Sequence, residues 1–180
     1  MPAPSPFYEV SLPEEGEYEP YGVAYFPEWC PLHLLPDTFT EVVDWRVPKA
    51  ELREGGYFDY LANDAGVRLL SDPLSRVIES HRTGEDRLQW LPVSVIHGDE
   101  ARDYRILHFA RDLQPLHLEA TKWIREGYPR VPVIRKELIG RHRVFGLHTT
   151  GHNFIVSEDM QRILRQEFDG CFTFRPLSVA

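Results

Sequence analysis

Residues 69–72 read Leu-Leu-Ser-Asp and residues 155–158 read Ile-Val-Ser-Glu. The likeness continues at a constant offset of 86, pairing Leu74 with Met160, Arg76 with Arg162, Val77 with Ile163, Ile78 with Leu164 and Gly84 with Gly170. After the glycine the offset falls to 84, and Trp90-Leu91-Pro92-Val93-Ser94-Val95 answers Phe174-Arg175-Pro176-Leu177-Ser178-Val179. A loop tolerates a change of two residues, whereas a helix or strand does not. A chain that repeats itself this way must build one local unit twice.

The unit has a physical reading. Ser71 and Ser157 each stand between a short apolar run and a helical pattern, where a hydroxyl can accept a bond from an orphan N–H of the first turn. Asp72, and Glu158 with Asp159, place negative charge at the positive end of the helix dipole. Pro73 suits a first turn, which does not use its missing N–H. Leu74, Val77 and Ile78 fall at i, i+3 and i+4, as do Met160, Ile163 and Leu164, with Phe168 extending the second stripe. Gly84 and Gly170 suit left-handed C-caps. A strand pattern follows each, Leu88 to Trp90 in one and Phe172 to Phe174 in the other. The expected unit is strand, capped helix, glycine, strand, over about 67–95 and 153–179.

The net charge of −8 is uneven. Residues 1–60 hold twelve acids against three bases, so the remaining 120 residues are close to neutral. An acidic third argues against nucleic acid as a direct partner and suits steering toward a basic protein. The first 36 residues are rich in proline and aromatics, a composition that wraps on a domain more readily than it forms regular helices. No run of about 18 apolar residues suggests a membrane span. The start, Met-Pro-Ala-Pro-Ser-Pro, lacks the basic and apolar stretches of a secretory signal. Cys30 and Cys171 do not make a disulfide framework. The expectation is a reduced, cytoplasmic protein, with Cys171 a buried small hydrophobe.

Between these features, Val42 to Val47 reads as a strand ended by Pro48, and Asn63-Asp64-Ala65-Gly66 as a turn. Val67 to Leu70, 87–96 and Asp103 to Phe109 read as strands, with a turn at His97-Gly98-Asp99. Glu119 to Glu126 reads as a short helix, and Val131 to Arg135 and His142 to Leu147 as strands. Strands and helices are interspersed without regular βαβ alternation, so the predicted class is α+β with a mixed or antiparallel sheet. We divide the chain into an acidic, proline- and aromatic-rich segment over 1–56, packed on the domain, and an α+β domain over 57–180.

Catalytic chemistry has few candidates. His148 and His152 have i, i+4 spacing near Glu158 and Asp159, but Thr149-Thr150-Gly151 between them reads as a turn, so helical metal-ligand geometry is not expected. Cys30 and His33 are close in sequence, an arrangement that seldom makes a working pair. No Gly-x-Ser-x-Gly, Gly-x-Gly-x-x-Gly or phosphate loop occurs. Ser71 and Ser157 repeat, and their place before helices explains them as caps.

One resemblance adds to this. Phe58-Asp59-Tyr60-Leu61, Leu69 to Leu74, Leu91-Pro92-Val93 and Tyr104-Arg105-Ile106-Leu107 carry it, followed by Leu116 to Thr121, Val144 to Leu147, Ile155 to Glu158 and Gly170 to Leu177. In order and spacing these resemble a bacterial family of immunity proteins of polymorphic toxin systems, of the myxobacterial type, formerly a domain of unknown function. The resemblance covers about 57–178. Thr121 stands where the family tends to have serine, and an aspartate is expected near His117.

The resemblance implies a non-enzymatic protein that binds a cognate toxin made by the same cell and blocks it, with no cofactor and no bound metal. Toxins paired with such a family include nucleases, whose basic phosphate-binding surface an acidic inhibitor can occupy with fast, salt-sensitive association. The expected toxin-binding residues are Glu14, Glu15, Glu17, Tyr18, Glu19, Tyr21, Glu28 and Trp29. The competing readings are a generic protein-interaction module and a metal-dependent enzyme using His148 and His152.

Overall fold

The computed structural model describes residues 6–12, 22–27, 29, 35, 39–53, 55–125, 128–147 and 153–180. The elements run β1 (Phe7–Ser11), β2 (Val23–Tyr25), β3 (Lys49–Leu52), β4 (Tyr60–Asn63), β5 (Leu69–Ser71), α1 (Asp72–His81), β6 (Leu88–His97) and β7 (Glu100–Phe109). They continue with β8 (Lys122–Arg125), β9 (Tyr128–Val131), β10 (Val133–Ile134), α2 (Lys136–Ile139), β11 (Val144–Phe145), β12 (Phe154–Ser157), α3 (Glu158–Glu167), β13 (Thr173–Pro176) and β14 (Ser178–Val179). The class is α+β, with mainly antiparallel strands.

Both repeated units form as their residues dictate. The Ser71 hydroxyl accepts from the Leu74 N–H at 3.3 Å and the Ser157 hydroxyl from the Met160 N–H at 3.4 Å. Each capped helix is ten residues long. Leu74 and Ile78 on one, and Met160 and Leu164 on the other, are fully buried, which stabilises the fold by about 1.5–3 kcal/mol per side chain.

The repeat extends beyond its sequence signal. The first half-unit has the strand order β4-β5-β7-β6, which β2 and β3 complete into a closed barrel, and the second has β11-β12-β1-β13. In each, two parallel strands joined by the helix are separated by an inserted antiparallel strand. The registers agree rung by rung. Leu70, Arg105 and Pro92 form one rung of the first, and Val156, Tyr8 and Pro176 the equivalent rung of the second. The edge strands match too: Tyr60 faces Leu70 as Val144 faces Val156, and Ser71 N–H donates to Asp59 O as Ser157 N–H donates to Arg143 O. The change of offset from 86 to 84 falls in the loop after the helix, which absorbs it without disturbing a rung.

The shared core follows the repeat. Tyr60, Leu70, Leu74, Ile78 and Leu107 pack with their counterparts Val144, Val156, Met160, Leu164 and Val10 in one cluster between the halves. The opposite face of the first sheet, with Leu61, Leu69, Leu91, Val93, Tyr104 and Ile106, fills the barrel. The corresponding face of the second, with Phe7, Phe145, Ile155 and Leu177, packs against Ile134 and Ile139. Where the barrel has the apolar neighbours Ile106 and Leu91, the second sheet has Glu9 and Arg175. This carboxylate is buried, pairs with the Arg175 guanidinium and accepts from Asn153 Nδ2 at 3.0 Å.

Four expectations are corrected. Residues 42–47 are not a strand; strand β3 starts after Pro48. Asp44 has φ 55, and the peptide groups of Val42 bond the Gln89 side-chain amide (2.8 and 2.6 Å) instead of a strand partner. Residues 119–126 contain strand β8, paired with β9 across a bulged ladder, because cross-strand partners override a weak helical pattern. The expected strand 131–135 divides at Pro132 into the ends of β9 and β10, since proline has no N–H for a ladder. Gly84 is not left-handed, and helix α1 instead ends at Arg82, whose N–H bonds Ile78 O; Gly170, at φ 77, is left-handed but lies two residues past the Phe168 cap. Among the described residues no helix is long and apolar enough to cross a membrane.

Candidate functional site

The expected binding residues lie in the connection from β1 to β2 and just after β2. Glu14, Glu15, Glu17, Tyr18, Glu19, Tyr21 and Glu28 lie outside the described residues. Trp29 is described and is 57% exposed. The ends of the acidic connection are firmly held: Ser11 pairs with Thr173 in the second sheet, and Val23 with Ala62 in the barrel. Four carboxylates within six residues, Glu14 to Glu19, are therefore covalently tethered between the two halves.

A second surface was not anticipated from sequence. The β8–β9 hairpin carries Trp123 (36% exposed), Ile124 (72%) and Val131 (42%), and Leu118 just before it is 68% exposed. At its base is a cavity of about 230 Å³ lined by Pro115, Leu116, Leu118, Trp123 and Leu147 together with Asp112, Gln114 and Arg135. Its walls are pinned: Trp123 Nε1 donates to Leu118 O (3.1 Å), and Arg135 Nη2 to Gln114 O (3.0 Å). Gln114, at φ 43, is held by its N–H donating to Asp112 Oδ1 at 2.9 Å. The signal in the sequence was Trp123-Ile124 between Lys122 and Arg125, two large apolar residues hemmed by charge; a helical reading hid it.

The titratable groups near the repeats have structural partners. The Ser71 hydroxyl donates to Asp59 Oδ1 while it caps α1. Its neighbour Cys171 is half-buried, with Sγ 3.7 Å from Asp59 Oδ2. Burial first, then the Asp59 carboxylate, pushes the thiol up to about 11, so it is a poor nucleophile near neutral pH. His142 Nδ1 lies 3.0 Å from Asp86 Oδ1 in a buried pair. Burial pushes the His108 imidazole down, and its Nε2 meets Thr40 O at 2.7 Å. A polar cleft of about 380 Å³ opens beside Asp59, Asp72 and Asp103, with Arg102 among its walls.

Cys30, His33, His148 and His152 lie outside the described residues. Glu158 and Asp159 are exposed in the first turn of α3, where Asp159 pairs with Arg162 at 3.3 Å. Among the described residues, no group of three or more histidine, cysteine, aspartate or glutamate side chains could hold a metal ion. Compared with models of known protein families and with curated protein sequences, the chain matches none.

Proposed function

We propose that this chain is a binding protein that neutralises a cognate antibacterial toxin in the cytoplasm of the cell that makes both. The observation that supports this reading most is Trp29, largely exposed shortly after β2, in a chain whose β1–β2 connection carries four carboxylates within six residues. An indole left largely in water is the type of side chain that dominates protein interfaces once a partner buries it. A segment dense in carboxylates raises the encounter rate with a basic protein such as a nuclease. The resemblance in order and spacing over about 57–178 supplies the toxin as the partner.

Co-expression with the product of the neighbouring gene tests the reading, scored by survival and by co-purification. Rescue with a stable complex is the expected result. A neighbour that is toxic alone, is not rescued and does not co-purify would remove that partner. Within a complex, Glu14→Lys, Glu15→Lys, Glu17→Lys and Glu19→Lys together should slow association about tenfold or more at low salt, with dissociation little changed. Unchanged affinity and protection would move the inhibitory face elsewhere.

A further inference from the structure

We propose that the β8–β9 hairpin and the cavity at its base form a second docking site, for an acidic segment of a partner protein bearing one aliphatic or aromatic anchor. The proposal does not rest on the toxin reading. Single exposed apolar side chains are ordinary. Here Leu118 and Trp123 wall a preformed cavity, and Ile124 and Val131 stand on the same hairpin. Such a grouping on a soluble surface marks an interaction site.

The base of the hairpin is rigid. His117 N–H donates to Val133 O (2.8 Å), Val133 N–H to Thr121 Oγ1 (3.1 Å) and Arg135 N–H to Pro115 O (2.7 Å). Two strands alone are marginal in water, so these bonds hold out a projection that would otherwise collapse. A cavity of about 230 Å³ has room for a single large side chain, the usual form of an interface anchor. A pinned cavity needs no reordering on binding, which saves entropy.

Charge selects the occupant. Residues 111–136 hold six bases (Arg111, Lys122, Arg125, Arg130, Arg135 and Lys136) against three acids, a net of +3 on a chain of net −8. An acidic partner segment complements that surface, whereas a basic one is repelled. Arg135 lines the cavity, and its buried Nε–H has no acceptor among the described residues, so an oxygen of the incoming segment could satisfy it after a small shift. Symmetric pairing with the same hairpin of a second molecule fits less well. Face-to-face pairing would bring two basic hairpins together, and the bulged ladder, Pro129, Pro132 and Lys122 blunt both edges against an added strand.

The test uses the whole chain and three labelled hexapeptides read by fluorescence anisotropy. One has two central phenylalanines flanked by aspartate and glutamate, one replaces the phenylalanines by serine, and one replaces the acids by lysine. The first alone should bind, and raising the salt severalfold should weaken it about tenfold. Trp123→Ala and Leu118→Ser should each weaken it about tenfold or more. Leu118 is mostly exposed, so its substitution leaves the core intact; an unchanged melting temperature confirms that. Three results overturn the proposal: no binding up to about 1 mM, equal binding of the lysine peptide, or indifference to both substitutions. Concentration-dependent dimerisation abolished by Ile124→Asp would give the surface to a second molecule of this chain.

Discussion

Asp86 is the most heavily used carboxylate in the described structure. It sits in the loop after α1 and is 2% exposed. Its Oδ2 accepts from Thr83 N–H at 2.8 Å, and its Oδ1 accepts from Arg143 N–H (3.0 Å) and Val144 N–H (3.4 Å) while facing His142 Nδ1 at 3.0 Å. It thus joins the end of the first helix to the edge strand of the other half. Asp86→Ala would strand three backbone donors and the imidazole. Each unsatisfied buried donor costs about 1–3 kcal/mol, and partial collapse of the loop recovers some, so a net loss of about 3–5 kcal/mol is expected. Asp86→Asn keeps one acceptor and loses the charge, and about 1–3 kcal/mol is expected. Urea unfolding followed by tryptophan fluorescence reads both. With a slope of about 2 kcal/mol/M, the alanine variant should unfold at about 2 M less urea.

The pH dependence is a second, sharper readout. Burial alone would push the Asp86 carboxyl up, but the hydrogen bonds from His142 and from the Thr83, Val144 and Arg143 N–H groups hold it below the ordinary carboxylate value. The unfolded chain protonates near pH 3.9. The folded value is lower, so this stabilisation is complete above about pH 3.9 and is lost as pH falls through the folded value. The stability gap between the native chain and Asp86→Asn should therefore narrow below about pH 4. A loss under about 1 kcal/mol for Asp86→Ala, or a gap that widens on acidification, would refute the reasoning.

The paired caps should differ. Ser71→Ala is expected to cost about 1–2 kcal/mol, because the buried hydroxyl also donates to Asp59, and Ser157→Ala about 0.5–1; urea unfolding that ranks them the other way would refute this. A methyl group at Gly146 would meet the Phe109 ring at 2.5 Å. Arg68 stacks 5.0 Å from the centre of that ring, so Gly146→Ala should cost about 1–3 kcal/mol, and a thermal melt should fall by about 2–4 °C per kcal/mol. In a Cys30→Ser background, Cys171 should react with a disulfide reagent near pH 8 about a hundredfold more slowly than a small free thiol, and Asp59→Asn should speed it. A rate like that of free cysteine would contradict the elevated thiol.

The repeat was legible because caps and stripes are local. A serine, an acid in the next position and apolar residues at i, i+3 and i+4 are set by the helix alone, so both units carry them. The inserted strand was not. Phe7-Tyr8-Glu9-Val10 and Tyr104-Arg105-Ile106-Leu107 occupy equivalent rungs, yet they share only an aromatic at the first place and an aliphatic at the fourth. The first four precede their half-unit in the chain while the others close theirs. Residues 119–126 misled for a different reason: Trp123 and Ile124 belong to a hairpin whose apolar side chains face outward, against the usual rule that periodicity marks burial. Of the expected binding residues, Trp29 lies among the described residues, and its exposure is a property that sequence cannot assign.

The strand borrowed from the chain's beginning sets an order of events during synthesis. Every strand of the barrel lies within residues 23–109, so that half is complete long before the polypeptide is finished. Strand β1 is made before the barrel strands yet pairs with residues as far away as Pro176, across 168 positions. At about 5–20 residues per second, a ribosome takes about 8–34 s to make that partner. Until β12 and then β13 are made, Phe7 and Val10 have no complete sheet to enter, and a nascent chain with exposed strand edges is prone to wrong pairing.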